Sequence, residues 1–99
     1  MTNIQDSAAY TELYFFVTNT REVYDNINVP IIKNLEKHYK KGNYNKESAF
    51  KSIERMINRA NNVYEQWHGY KFDKKIVKAL IPEIHDNIYS EIELGNYLS

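Results

Sequence analysis

Apolar residues recur at helical spacing along most of the chain, and the longest unbroken stripe of them lies between residues 50 and 67. The stripe consists of Phe50, Ile53, Met56, Ile57, Ala60, Val63, Tyr64 and Trp67. Successive members are one or three residues apart, so a helical repeat of about 3.6 residues places all of them on one face. The positions between them are mostly charged or amide residues, which suit water. We therefore predict a long helix over 46–68 whose apolar face is buried.

Glycines and capping residues mark the ends of this helix and of its neighbours. Gly42 follows a basic turn, a pattern that ends a helix, and Asn45 is suited to accept a free backbone N–H at the start of the next one. Gly69 and Asp73 repeat this pattern of stop and cap. Pro30 suits a first helical turn, where its missing N–H costs nothing. The predicted helices span approximately 8–26, 30–41, 46–68 and 74–94.

A proline interrupts the last of these helices. Pro82 removes one backbone hydrogen bond and crowds the preceding turn, so we expect the helix to be kinked or split near Pro82. The loops 42–45 and 69–73 are short, which favours antiparallel packing of consecutive helices. The sequence thus predicts one domain, residues 1–99, that is all-α and forms a compact antiparallel bundle of about four helices.

The composition excludes several classes of protein. The net charge is zero with histidine neutral, so the chain as a whole has no bias toward nucleic acid or anionic membranes. The absence of cysteine excludes disulfides, thiolate metal ligands and a cysteine nucleophile. Residues 1–7 lack the basic region and apolar run of a secretory signal, and no stretch approaches the roughly 20 apolar residues of a membrane span. We expect a soluble cytoplasmic protein.

Three histidines are the best candidates for chemistry, and none has the partners that catalysis needs. Glu65 and His68 have the Glu-x-x-His spacing of di-iron bundles, but that site requires a second such pair and two more inward carboxylates. His68 and His38 fit the simpler role of a cation at a helix C-terminus. His85 is predicted to be a polar residue at the edge of the core, without the partner and pocket of a general base. We therefore predict no enzymatic activity, no catalytic residue, no cofactor and no metal.

The neutral total hides an uneven distribution of charge. Residues 33–59 contain eight basic and three acidic residues, whereas residues 82–99 contain four acidic residues and no Lys or Arg. Lys46, Lys51, Arg55 and Arg59 would form a basic face on the helix over 46–68, which admits a DNA-binding interpretation. The helix is long for a recognition helix, and the loop before it is not the tight turn of a helix–turn–helix motif. We favour a solvated or protein-facing surface with side-chain pairs such as Glu47–Lys51.

Two further features suggest association with a protein. Tyr64, Trp67 and His68 meet Tyr70 and Phe72 beyond the end of the helix, and exposed Tyr and Trp are favoured at protein interfaces. The last helix has an acidic edge made of Glu83, Asp86, Glu91 and Glu93, with Tyr97 and Leu98 beyond it. This edge would be complementary to the basic middle of another copy, so a homodimer is one hypothesis.

Short motifs run along most of the chain from Leu13 onward. They are Leu13-Tyr14, Val23-Tyr24, Pro30-Ile31-Ile32-Lys33-Asn34-Leu35, Lys41-Gly42-Asn43-Tyr44-Asn45, the residues Ala49, Ala60 and Tyr64, Lys71-Phe72-Asp73-Lys74, and the ending Glu91-Ile92-Glu93-Leu94-Gly95-Asn96-Tyr97. In these motifs the chain resembles a group of short, largely uncharacterised proteins encoded by bacteriophages and related mobile elements. Pro82 departs from the unbroken last helix expected of that group. The resemblance implies a small phage accessory protein, of a kind that often binds and blocks a host protein, and it carries over no catalytic residues.

These observations together predict a non-enzymatic protein-binding accessory protein. It is expected to act in the cytoplasm of a bacterial host as a phage-encoded inhibitor of a defence or regulatory complex, by occupying a surface of a host or phage protein. The alternative is a small DNA-binding regulator that uses the basic face of residues 33–59. The predicted partner-binding residues are Lys37, Lys41, Arg55, Arg59, Trp67, Tyr70, Glu83, Asp86, Glu91 and Glu93.

Overall fold

Five α-helices and one π-helical turn build the protein in a computed structural model, which describes residues 7–95. The helices are α1 (Ala8–Asn19), α2 (Arg21–Val23), α3 (Val29–Lys40), α4 (Lys46–His68) and α5 (Lys74–Glu93), and the π-helical turn Tyr24–Asn28 joins α2 to α3. No β-strand occurs within residues 7–95, and the predicted all-α helical bundle is confirmed. Tyr97 and Leu98, named above for association, lie outside the described residues.

The centre of the core is the contact between α4 and α5, the most extensive contact between any two helices. The five-residue loop 69–73 returns the chain along α4, and α1 packs on both α4 and α5. The predicted stripe on α4 is fully buried along its middle, whereas Phe50 at one end is half-buried and Trp67 at the other is 48 % exposed. No helix of residues 7–95 is long and apolar enough to cross a membrane.

The first predicted helix, 8–26, is wrong in its extent, because the chain breaks at Thr20. This residue has an extended backbone with φ −86° and ψ 117°, and Thr18 in the preceding turn donates its side-chain hydroxyl to a carbonyl of α1, a bond that competes with regular helix. Beyond the break Val23 is buried, while Tyr24, which an unbroken helix would turn inward, is 37 % exposed.

The second predicted helix, 30–41, begins earlier than expected, because residues 21–40 form one continuous helical run. A proline at position 30 cannot donate to the carbonyl of Asn26 and its ring crowds that oxygen. The π-helical turn lies directly before Pro30, and there the N–H of Val29 bonds the carbonyl of Tyr24, five residues earlier. The wider turn lets the chain pass the proline without ending the helix.

The π-helical turn also connects this run to α1. Asn28 is 3 % exposed, and its side-chain Nδ2 donates to the carbonyl of Val17 at 2.8 Å. That carbonyl belongs to the last turn of α1, where carbonyls have no partner within their own helix. The buried amide thus satisfies the end of α1 across the break at Thr20.

Helix α5 continues through Pro82, so the helix is not split there. Pro82 and Lys78, the residue whose carbonyl the proline cannot bond, are both exposed. Pro82 therefore lies on the outer side of α5, while the core-facing positions Ile81 and Ile84 remain buried. This placement explains how α5 tolerates a proline in its interior.

The loop between α4 and α5 is held by caps at both ends and by one side chain in the middle. Gly69 adopts a left-handed conformation with φ +84° and ends α4, and Asp73 accepts from the N–H of Lys75 to begin α5. Asn61, buried on α4, donates to the carbonyl of Phe72 at 3.0 Å and accepts from its N–H at 2.9 Å. The amide of one side chain therefore satisfies both backbone groups of a loop residue.

Replacing Asn61 with alanine tests this attachment. We expect Asn61→Ala to lower the free energy of unfolding by about 1–3 kcal/mol, because both backbone groups of Phe72 lose their partner. The exposed neighbour Asn62 provides a matched control, and Asn62→Ala is expected to change the stability by less than about 0.5 kcal/mol. Urea unfolding followed by circular dichroism measures both values, and equal effects of the two substitutions would contradict the assignment.

Candidate partner-binding surfaces

The end of α4 and the following loop present a cluster of aromatic side chains, here called the aromatic platform: Phe16, Tyr64, Trp67, Tyr70 and Phe72. Trp67 is 48 % exposed and Tyr70 is 54 % exposed, whereas Tyr64 beneath them is buried. Ring centroids are 5.0 Å apart for Phe16 and Tyr64 and 5.5 Å apart for Phe16 and Trp67, both edge to face. Phe72 packs on the other side of Tyr64 at 4.6 Å. The two exposed rings therefore pack on an aromatic base made of buried Tyr64 and half-buried Phe16 and Phe72.

A short polar chain fixes the position of the platform. The hydroxyl of Tyr64 donates to the carboxylate of Glu12 on α1. A tyrosine hydroxyl has only one proton to donate, and Tyr64 donates it to Glu12. In the 2.9 Å contact between the hydroxyls of Tyr64 and Tyr70, Tyr70 is therefore the donor and Tyr64 the acceptor. Tyr70 is thereby held in place although its ring is exposed, and His68 packs on Tyr64 at 4.3 Å.

Trp67 and Tyr70 are predicted from the sequence for this surface, whereas Phe16 and Glu12 are not. These two residues come from α1, and no local spacing connects them with a helix about 50 residues further along the chain. Glu12 and Phe16 are four residues apart and thus lie on one side of α1. The spacing of Glu12 and Phe16 was the one signal in the sequence that these two residues act together. It does not indicate that they pack against α4.

A second surface is the groove between α3 and α4, here called the basic groove, which encloses about 330 Å³. Its lining residues are Asn34, Leu35, His38, Asn43, Tyr44, Asn45, Ser48, Ala49, Lys51, Ser52 and Arg55. No Asp or Glu is among them. The guanidinium of Arg55 donates to the hydroxyl of Ser52 at 3.2 Å, and Nδ1 of His38 lies 3.1 Å from Oδ1 of Asn43. Positive and hydrogen-bonding groups of two helices thus converge on one concave surface.

The four predicted basic residues are not brought together into one site. Arg55 lines the basic groove, whereas Arg59 lines a separate cavity together with Glu22 of α2. Lys37 and Lys41 are exposed on and just after α3 and line neither cavity. The structure therefore separates the basic middle of the chain into distinct surfaces.

The acidic edge of α5 is partly occupied by contacts within the chain. The hydroxyl of Tyr10 donates to the carboxylate of Glu83, and Asp86 lies 2.9 Å from Nδ1 of His85. Glu93 is exposed, and Glu91 is half-buried. Glu83 and Asp86 thus have polar contacts within the chain, and Glu91 is also engaged within it, so these three carboxylates are not fully available to a second molecule.

His85 differs from its prediction as an edge residue, because it is 4 % exposed. Its ring lies between Phe50 at 4.7 Å and Tyr89 at 5.7 Å. Since Nδ1 faces the carboxylate of Asp86, that nitrogen bears the proton, and Nε2 accepts from the hydroxyl of Tyr44. From the helical period alone, His85 is expected at the edge of the core. Its burial is completed by two aromatic side chains from elsewhere in the chain, Phe50 of α4 and Tyr44 of the loop before α4.

The chain Asp86–His85–Tyr44 has the order of an activated nucleophile, in which a carboxylate orients a histidine beside a hydroxyl. Its electrostatics oppose that role. Burial raises the pKa of Tyr44 to about 12, with smaller contributions from Tyr89 and Asp86, and a raised pKa disfavours the phenolate. We therefore assign these bonds to packing: they satisfy a buried histidine inside an aromatic cluster. In the described part of the chain, no group of three His, Asp or Glu is arranged to hold a metal ion.

Comparison with known protein families, curated proteins and solved structures finds no match to this chain.

The pKa of Tyr44 gives a direct test of the cluster. Because the pKa of Tyr44 is higher in the folded state than in the unfolded state, the folded state keeps the hydroxyl proton to a higher pH. The stability contributed by the protonated hydroxyl is therefore present below about pH 10 and is lost between about pH 10 and 12. Titration of tyrosine absorbance at 295 nm should show a late group of tyrosines. Tyr44→Phe should remove one equivalent from that late group; removal from the group that titrates near pH 10 would contradict the burial of the Tyr44 hydroxyl.

Proposed function

We propose that this protein is a non-enzymatic protein-binding accessory protein that docks on its partner through the aromatic platform. The observation that supports this proposal is the exposure of Trp67 and Tyr70 on a base that is already ordered. Large aromatic side chains are the residues on which binding energy concentrates at protein interfaces. Within residues 7–95, exposed aromatic rings are also found at Phe15 and Tyr24, but no other surface combines two of them with a buried aromatic base.

The order of the platform favours affinity. Association costs free energy for every flexible side chain that becomes fixed at the interface. Phe16 supports Trp67 by an edge-to-face contact, and the hydroxyl of Tyr64 holds Tyr70. Both side chains are therefore already restricted in the folded protein, and less conformational entropy is lost when the partner binds. Each ring would bury its exposed area against the partner without a further change in the backbone.

The expected partner is a host or phage protein, and the expected effect is inhibition by occupation of a surface. The resemblance to small phage-encoded proteins supports this context, in which the target is a bacterial defence or regulatory complex in the cytoplasm. Steric blocking needs no catalytic group, which is consistent with the packing role assigned to Asp86, His85 and Tyr44. A second copy of the chain is a further candidate partner, although Tyr10 and His85 occupy two residues of the acidic edge.

The alternative function is DNA binding through residues 33–59. One observation favours it: the basic groove joins His38 of α3 with Lys51 and Arg55 of α4 on one surface. Because this groove is lined by other residues than the aromatic platform, substitutions separate the two functions. Loss of partner binding on changing Trp67 indicates the protein-binding function. Loss of DNA binding on changing Arg55 indicates the DNA-binding function.

Affinity capture with tagged protein in bacterial lysate tests the platform. We expect Trp67→Ala to reduce recovery of the captured partner by about tenfold or more, because truncation of an aromatic hot spot costs at least about 2 kcal/mol. Phe15→Ala is the matched control, since Phe15 is an equally exposed aromatic residue of α1 outside the platform. It should leave recovery unchanged.

Two results would contradict the proposal. One is equal recovery with wild type and Trp67→Ala when circular dichroism shows both folded. The other is an equal loss with Trp67→Ala and Phe15→Ala, which would mean that general surface hydrophobicity captures the partner.

A further inference from the structure

The basic groove has an uncompensated positive charge. Arg55 and Lys51 are exposed at its mouth, and neither forms an ion pair with a carboxylate within residues 7–95. In particular, Lys51 makes no ion pair with Glu47 one turn before it, contrary to the sequence prediction of that pair. We propose that the groove is a binding site for a phosphate group.

The acidic residues nearest in sequence lie on other surfaces. Glu54 lines two cavities on the α5 side of α4, and Glu47 lines one of these. Glu36 is buried on α3 with Lys40 at 3.9 Å. Lys51 borders both the basic groove and the α5-side cavity, so its charge is shared between them. Arg55 lines the groove without lining that cavity, and it is therefore the principal cation of the proposed site.

The kind of donor present favours phosphate over a simple carboxylate. The guanidinium of Arg55 is a planar fork of N–H donors that matches carboxylate and phosphate oxygens alike, so the other groups of the groove decide between them. Amide and hydroxyl groups of Asn34, Asn45 and Ser48 line the same groove, and so does Lys51, one turn before Arg55 on α4. A phosphate group offers three or four oxygens in a tetrahedral arrangement, whereas a carboxylate offers two. The groove is thus lined by amide and hydroxyl donors in addition to two cations, which suits a group with three or four acceptor oxygens.

The size of the groove limits the source of the phosphate. About 330 Å³ exceeds the volume of one phosphate ion and leaves room for the group that bears it. The phosphate can therefore belong to a free phosphate ester or to the backbone of a nucleic acid. Both sources use the same chemistry at Arg55, and the ligands in the experiment distinguish them.

Amide chemical shifts of the full-length protein, titrated at constant ionic strength, test the proposal. The probes are inorganic phosphate, a nucleoside monophosphate and a short DNA duplex, with sodium acetate as the carboxylate control. We expect saturable shifts confined to the lining residues around Asn45, Ser48 and Ser52. Saturation with the monophosphate identifies a free ester as the source, and saturation with duplex alone identifies nucleic acid.

A matched pair of substitutions separates a specific site from general charge. Arg55→Ala should raise the apparent Kd for the saturating probe by at least about tenfold, because it removes charge-assisted hydrogen bonds. Arg59→Ala removes the same charge from the same helix, one turn away in a different cavity, and should change the Kd by less than about twofold. Trp67→Ala should have no effect, so this site and the aromatic platform can fail independently.

Three results would overturn the proposal. The first is the absence of saturable shifts with every phosphate probe. The second is acetate binding as tightly as phosphate, which would remove the preference for a tetrahedral anion. The third is an equal effect of Arg55→Ala and Arg59→Ala, which would show that the probes respond to net charge and not to the groove.

Discussion

The burial of one face of α4 against α5 is the constraint on which the rest of this structure depends. Helix α4 is 23 residues long, and such an amphipathic helix is stable in water when its apolar face is covered. The loop 69–73 is short enough that α5 covers it as the next element of the chain. Ile53, Ile57 and Ala60 are fully buried as a result, and α1 closes the remaining side.

This arrangement has a consequence for the end of α4. The stripe continues to Tyr64 and Trp67, where the chain turns away at Gly69 and the cover from α5 ends. Tyr64 is buried by Phe16 and Phe72, and its hydroxyl needs a partner because an unpaired buried polar group is costly. Glu12 supplies that partner. The same contacts that complete the core therefore hold Trp67 and Tyr70 at the surface.

The sequence predicts the parts of the structure that depend on local patterns. The bounds of α4 follow from the period of its apolar residues, the cap at Asn45 and the glycine at position 69. The start of α5 follows from the cap at Asp73. The break at Thr20 and the π-helical turn before Pro30 were not predicted, because apolar residues recur at helical spacing through both segments. Contacts between distant elements, such as Glu12 with Tyr64, have no local signal. The basic groove was missed for the same reason, since the division of basic residues into separate surfaces depends on how α3 packs on α4.

The loop that carries Tyr70 and Phe72 of the platform should therefore belong to the same cooperative unit as the core of α4. Native-state hydrogen exchange of the Phe72 amide tests it most directly, because this loop N–H is bonded to the side chain of Asn61. The opening free energy of the Phe72 amide should equal that of the amides of Ile57 and Ala60 to within about 1 kcal/mol. Exchange of the Phe72 amide at the rate of an unstructured peptide, while the amides of α4 remain protected, would contradict it.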